Sequence, residues 1–210
     1  MNPKLKNTLE WTYCIVIAII IALAVKYFIG TPTVVKQKSM DTTLKEGQRL
    51  WLNRWTRTTK GEYKVGDIIT FEAPSVTYPS LENIDFDNPV AKYDYNPKGL
   101  IGKFIYYILE TNKTSYIKRI IGVAGDHIKI EDGKVYRNGE QLDEPYLQEN
   151  IRTESKIYYD IIVPENCVFA MGDNRENSTD CRDFGCIPIR KIESKVAFRF
   201  WPLNKFGKIK

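Results

Sequence analysis

A mainly β body carried on one N-terminal membrane-spanning helix is the fold class predicted by this 210-residue sequence. Two observations predict it. Residues 11–29, WTYCIVIAIIIALAVKYFI, form an apolar run of bilayer length near the N-terminus. Beyond it the chain breaks into short runs rich in β-branched and aromatic residues, separated by turn dipeptides.

The apolar run comes first. As a helix its 19 residues would extend about 28 Å, close to the thickness of a bilayer core. Lys26 interrupts it near one end, where a long side chain can reach the headgroups, and Trp11, Tyr13 and Tyr27 sit where interfacial anchors belong. The sequence GTP at 30–32 then ends the helix. A cleavable secretion signal is the competing reading, with Lys4 and Lys6 as its basic start and Ala22-Leu23-Ala24 as its cleavage site. The retained anchor is preferred because apolar character continues through Val25 and resumes at Tyr27, Phe28 and Ile29. Lysines flank both sides (Lys4 and Lys6, against Lys36, Lys38 and Lys45), so charge asymmetry does not set the orientation.

In the body, residues 67–73, 116–123, 127–142, 157–163, 167–172 and 195–201 read as strands. Asp132-Gly133 and Asn138-Gly139 are hairpin-turn dipeptides that split the third of these runs. Residues 75–114 differ in character, with prolines at 79, 89 and 97, acidic Asp85 and Asp87, and the apolar GLIGKFIYYIL at 99–109. They read as an insertion between two core strands. Two readings of the apolar stretch stand: a helix or strand covering the β core, or a segment lying in the membrane surface or gripping a partner.

Composition narrows the chemistry. A hydrophobic fraction of 43% and an aromatic fraction of 12% describe an ordered protein. The net charge of +5 is modest and dispersed. It favours mild attraction to an anionic surface, a membrane included, and not nucleic-acid binding. No zinc-finger spacing, Walker loop or dinucleotide fingerprint is present. Cys14 lies in the apolar run, leaving Cys167, Cys181 and Cys186 as an odd number in the body. A Cys181–Cys186 bridge stays open, with small buried thiols as the simpler reading. One histidine, His127, at a strand start gives no Ser-His-Asp arrangement and no metal-ligand spacing.

Lysine is left as a base. Lys118 sits in YIKRIIGV among Ile117, Ile120 and Ile121. At an ordinary pKa of ~10.4 it would be neutral in roughly one molecule in 2,500 at pH 7. Desolvation among apolar neighbours disfavours the ammonium and makes a general base. Taken alone, the stretch reads more simply as a strand whose lysine faces water. A partner changes that balance: KSMDTTL at 38–44 presents Ser39 next to Met40, ten residues beyond the anchor. MGDNRENSTDCRDFG at 171–185 packs Asp173, Asn174, Arg175, Ser178, Asp180 and Arg182 into one polar loop, suited to a fixed scaffold of hydrogen bonds and ion pairs.

With these motifs in their order and spacing, the sequence resembles the type I signal peptidases, membrane-anchored Ser/Lys endopeptidases that release exported proteins from their signal peptides. The resemblance runs along nearly the whole chain: the anchor, SMDTTL, VGDIITF, YIKRIIGVAGD, DGKVYRNGEQLDEPYL, VPENCVFAMGDNRENSTDCRDFG and FRFWPLNKFG. The compact segment between Lys118 and Gly172 is similar to the small forms typical of Gram-positive bacteria. The resemblance implies an antiparallel β-sheet peptidase domain over residues 30–210, an anchor at 11–29 and a cytoplasmic tail at 1–10. It implies Ser39 as nucleophile and Lys118 as general base. Ser178 would bond the lysine amine and aim it. Asp180 and Arg182 would form a supporting ion pair, with Asp173 and Arg175 bracing the same loop. The Ser39 backbone N–H would donate to the oxyanion, and Met40 would touch substrate. The substrate would bind as an added strand, with small residues at its −1 and −3 positions. Partners would be signal peptides and membrane lipid, not nucleic acid, with no metal or organic cofactor. The body would lie on the extracytoplasmic side of a single-pass cell-membrane protein.

Four departures from the family pattern stand out. Thr42 occupies the position of a proline after the nucleophile, which would loosen that turn. Ala124 replaces a turn proline, and Cys181 replaces a serine. Gln37 stands where some members carry a hydroxyl that serves as second oxyanion donor. The insertion at 75–114 is long for a compact member and suggests specialised substrates, or a secretion or surface-assembly partner. The alternative function is a non-proteolytic relative that assists assembly of secreted or surface-fibre proteins; having both Ser39 and Lys118 argues for the enzyme. A self-cleaving Ser/Lys regulator is disfavoured because an anchor stands where a DNA-binding domain would be.

Overall fold

The structure, a computed structural model, describes residues 3–59, 61–80, 84–111 and 113–209. The first two residues of the expected tail, and 81–83 and 112 of the expected insertion, lie outside the described residues. The chain opens with helix α1 (Pro3–Phe28), of which Asn7–Phe28 is long and apolar enough to cross a membrane. At 1.5 Å per residue that stretch reaches about 33 Å. None of its most apolar window is buried by protein, so its large apolar side chains, Ile15, Ile20 and Ile21 among them, have no cover from the body.

The body is built from antiparallel strands. They are β1 (Gly30–Val34), β2 (Arg49–Asn53), β3 (Ile68–Glu72), β4 (Ser115–Val123), β5 (His127–Glu131) and β6 (Lys134–Arg137). There follow β7 (Glu140–Gln141), β8 (Asp160–Ile162), β9 (Cys167–Met171), β10 (Ile187–Pro188) and β11 (Ile192–Trp201). One sheet runs β1-β2-β11-β3-β4-β9-β10 and a smaller one β7-β6-β5-β8. Both expected hairpin turns form: Asp132 and Gly133 have φ of 52° and 80°, Asn138 and Gly139 of 55° and 84°. Two successive positive-φ residues match the right-handed twist of the flanking strands. The larger core joins the sheets through Phe71, Ile120, Ile128, Val135, Ile161 and Phe169. A second cluster, Val35, Met40, Leu44, Leu50, Leu52 and Ile68, lies under the 38–44 turn.

The strands read from the sequence recur within two or three residues at most boundaries. Three were missed. β1 contains Pro32, tolerated because β1 is an edge strand. Gly30 permits the chain to leave α1 directly into this strand, since a Cβ there would lie 2.4 Å from the Leu52 carbonyl. β2, RLWLN, is a short alternating run, and β10 spans two residues.

The insertion joins β3 to β4, which pair as neighbours. Part of it is core. Ala91 is buried, and its N–H donates to the Cys186 carbonyl while the Cys186 N–H donates back to Pro89. The apolar stretch behaves otherwise. Gly99–Phe104 (α2) continues as a wider helical turn over Ile105–Leu109, and only Tyr106 of these eleven residues is buried. It does not cover the core.

Candidate active site

Lys118 lies in the middle of β4, paired on one side with Ile69 of β3. Strand β9 takes up the other side from Arg119 onward. This position at the centre of a sheet leaves Lys118 only 2% exposed. Its amine donates to the Ser39 Oγ at 2.6 Å, a contact across 79 residues of sequence. Burial pulls the Lys118 pKa down from 10.5 to about 8, against the opposing pull of the Asp180 carboxylate. Desolvation wins because the ammonium has lost its water without gaining a carboxylate in contact. A neutral lysine at this distance would accept the proton of the serine hydroxyl.

Ser39 is held from below and beside. Met40 and Leu44 are fully buried in the smaller core, each contributing about 2 kcal/mol, and the Leu44 N–H closes a turn on the Met40 carbonyl. Met40 therefore anchors the turn, and it lines neither cleft near Ser39. Asn174 clamps the other side: its N–H donates to the Ser39 carbonyl at 3.0 Å and its Nδ2 to the Lys38 carbonyl at 3.2 Å. The Ser39 N–H has no acceptor among the described residues. Gly172 is required by close approach, since a Cβ there would lie 2.4 Å from the Ser39 carbonyl and 2.2 Å from Ser178 Oγ.

Thr42 adopts φ of 101°, a value closed to proline and rarely taken by a β-branched residue. Its hydroxyl donates to the Tyr146 carbonyl and its N–H to the Asp41 carboxylate. The turn is thus not loosened by the missing proline but pinned in a different shape.

The polar loop forms a scaffold of three buried ion pairs. Asp173 accepts two bonds from Arg119 at 2.9 and 2.8 Å and one from Thr43 at 2.5 Å, joining the loop to β4 and to the nucleophile turn. The Arg119 guanidinium also lies over the Tyr146 ring. Arg175 donates to Gly172 O, Thr153 and both oxygens of Glu144. Asp180 and Arg182 are wholly buried and bonded twice, at 2.8 and 2.9 Å. Burial pushes the Asp180 carboxyl up, but the Arg182 guanidinium and the Gly172 N–H, which donates to it, hold it down at about 2. Asp180 also caps the short helix α3 (Cys181–Phe184).

The Ser178 hydroxyl is buried close to the Asp180 carboxylate, and among the described residues no partner, Lys118 included, stands in good hydrogen-bond geometry to it. The lysine amine is turned to Ser39 instead. Gln37 is half-buried beside the nucleophile, lining the same cleft. The cysteines are free; Cys181 is packed against β9, its sulfur accepting from the Ala170 N–H. His127 bonds Asp160 on the surface of the small sheet. The sequence gives no signal for Glu144, Thr153, Tyr146 and Thr43, because the bonds that tie them to the site span 22 to 130 residues.

Two clefts meet beside the dyad, at Lys36, Gln37 and Tyr116. One, of about 470 Å³, is lined by Lys36, Gln37, Ser39, Tyr116 and Lys118. The other, of about 580 Å³, shares Lys36, Gln37 and Tyr116, and runs between residues 31–37 and 114–117 toward Lys26 at the end of α1. Residues 115–117 of β4 pair only with β3, and β1 pairs only with β2, so each borders the cleft with strand edge left unpaired.

A β fold with a buried serine–lysine pair, carried on an apolar helix, defines a class of membrane-anchored hydrolase-like proteins. The family model described as "Signal peptidase, peptidase S26" matches residues 8–201. The chain is 32% identical to signal peptidase IB of Staphylococcus aureus, over 96% of this chain and 93% of that protein. It is 30% identical to signal peptidase I of Bacillus licheniformis, over 97% and 94%. A solved signal peptidase I from Enterococcus faecalis aligns at 22% identity with a TM-score of 0.39, covering 64% of this chain and 96% of that one. The chain belongs to the signal peptidase family, peptidase S26.

Proposed function

We propose that this protein removes signal peptides from exported preproteins as a membrane-anchored serine endopeptidase, with Ser39 as nucleophile and Lys118 as general base. The observation that carries the reading is the 2.6 Å contact between Ser39 Oγ and a lysine buried enough to be partly neutral near pH 7. Neutral Lys118 takes the hydroxyl proton as Ser39 Oγ attacks the scissile carbonyl. The free N–H of Ser39 donates to the oxyanion. Lys118 then gives the proton to the leaving amine, and the acyl group stays on Ser39. Water, deprotonated by Lys118, hydrolyses this ester and restores both residues. Asp173, Arg175, Asp180 and Arg182 fix the loop that clamps Ser39, and in this reading the Gln37 amide adds a second donor.

The unpaired edges of β1 and of 115–117 support binding of the substrate as an extended strand, entering from the end of α1. Small residues at −1 and −3 fit such a shallow site. We assign the body to the extracytoplasmic face, where signal peptides emerge. Protease added to intact protoplasts should degrade the body; full protection would refute this side. The activity itself is tested with purified full-length protein in micelles and a preprotein substrate. Cleavage should occur after a small residue and vanish in Ser39→Ala and in Lys118→Ala. Substantial turnover by Lys118→Ala would remove the lysine from its role.

A further inference from the structure

The insertion carries an apolar helix that the body does not use. Of Gly99–Leu109, α2 contributes no buried residue; Leu100 is 88% exposed and Ile101 77%, with Phe104, Ile105, Tyr107 and Leu109 also exposed. Eleven residues reach about 16 Å as a helix, too short to cross a bilayer. So large a contiguous apolar surface on a soluble face marks a contact site. What covers it follows from where it is fastened.

The C-terminal end of this helix is locked to the last turn of α1. Lys26 donates to the carbonyls of Ile108 at 3.1 Å and Leu109 at 3.4 Å, accepting its role as a cap on an end left without i+4 partners. Glu110, in a left-handed conformation that stops the helix, pairs with Lys26 at 3.3 Å and with Arg54 at 2.7 Å. Arg54 in turn donates to the Lys26 carbonyl. Tyr107 lines a cleft with Tyr27 and Phe28, the final residues of the anchor. The lock therefore sits at the level where the anchor leaves the bilayer. Exposed Lys98 and Lys103 accompany the apolar face and match anionic headgroups.

We propose that Gly99–Leu109 is a second membrane contact, lying in the headgroup boundary of the leaflet from which α1 emerges. Leu100, Ile101, Phe104 and Ile105 enter the lipid, and Lys98 and Lys103 reach the phosphates. The occupant is lipid and not a protein partner, because the surface is continuous with the transmembrane segment through Lys26 and Glu110. This rests on α1 as the anchor. With two points of attachment, the body cannot swing freely about the α1–β1 junction, and the two adjoining clefts, one reaching Lys26 and the other Ser39, keep a fixed height over the membrane. Its bearing on cleavage rests on the proposed activity.

The test uses full-length protein in vesicles of phosphatidylethanolamine and phosphatidylglycerol. Spin labels are attached to L100C or I101C in a C14S background, the remaining cysteines being buried. E140C, on the exposed edge strand β7 of the small sheet, is the reference. Labels at 100 and 101 should favour oxygen over a water-soluble nickel chelate at least tenfold more than the label at 140. Equal ratios at all three sites would overturn the proposal, as would labels shielded from both reagents, which would mean a protein partner. The paired variant Leu100→Ser/Ile101→Ser should keep its melting temperature and its rate on a short soluble peptide. Its cleavage of vesicle-inserted preprotein should fall at least fivefold; an unchanged rate there would overturn the alignment role. Failure of the unaltered protein on both substrates would refute the proposed activity instead, leaving the label measurement to stand by itself.

Discussion

The pH dependence of cleavage follows from the surroundings of one amine. With its pKa near 8, about 9% of Lys118 is neutral at pH 7, against about 0.03% for a lysine left at 10.5. Burial thus raises the population of active base roughly 300-fold at neutral pH. Because the base must be neutral, activity rises with pH. Between pH 6 and 7 the single-turnover rate on a soluble peptide should climb about ninefold, between 8 and 9 only about twofold, and then level off. The assay is rapid quench in detergent micelles with enzyme in excess, which isolates the chemical step from product release. Two outcomes would refute the reasoning. A rate that keeps rising tenfold per pH unit beyond pH 9 would mean that the working base is not desolvated. A rate flat from pH 6 to 10 would mean that no lysine titrates in the chemical step.

The same burial has a cost in stability. Lys118 binds its proton up to about pH 10.5 when unfolded but only up to about 8 when folded. The unfolded state therefore holds more protons between these values, so the wild-type stability rises with pH there, and below pH 8 the folded state carries the full deficit of about 3 kcal/mol. Lys118→Met removes that deficit while losing one hydrogen bond of about 1 kcal/mol, so at pH 7 it should melt several degrees above wild type, with no activity. A lower melting temperature at pH 7 would contradict the desolvation argument. Gly172→Ala forces a Cβ against the Ser39 carbonyl and Ser178 Oγ, and should lower the rate about 100-fold by displacing the nucleophile. It should also destabilise by about 1–3 kcal/mol, and near-normal turnover would show that the loop has slack.

Much of the body was legible because local chemistry decides it. Asp132-Gly133 and Asn138-Gly139 leave few options but hairpins, and the long β-branched run at 116–123 makes a central strand. What the sequence hid is long-range. Whether Lys118 faces water or protein depends on β3 and β9, which flank β4 only after folding. Ser39 could be offered as its partner, but their roles rested on resemblance, since spacing says nothing about two groups 79 residues apart. The bonds from Arg119 to Asp173 and from Arg175 to Glu144 are equally nonlocal. The apolar run at 99–109 allowed both core and surface readings, because a short helix with apolar residues on most sides has no face that reports its neighbour. Its exposure in the folded chain sets the core reading aside.

The claim that Ser39 attacks with Lys118 as its base is met most directly by trapping the acyl intermediate. Full-length protein is mixed with a signal-peptide segment whose scissile carbonyl is an activated ester, and the intact mass is read after acid quench. The account predicts a single acyl adduct that maps to Ser39, forms faster with pH along the limb set by Lys118, and is absent from Ser39→Ala. An adduct on another residue, or one that persists undiminished in Ser39→Ala, would contradict it.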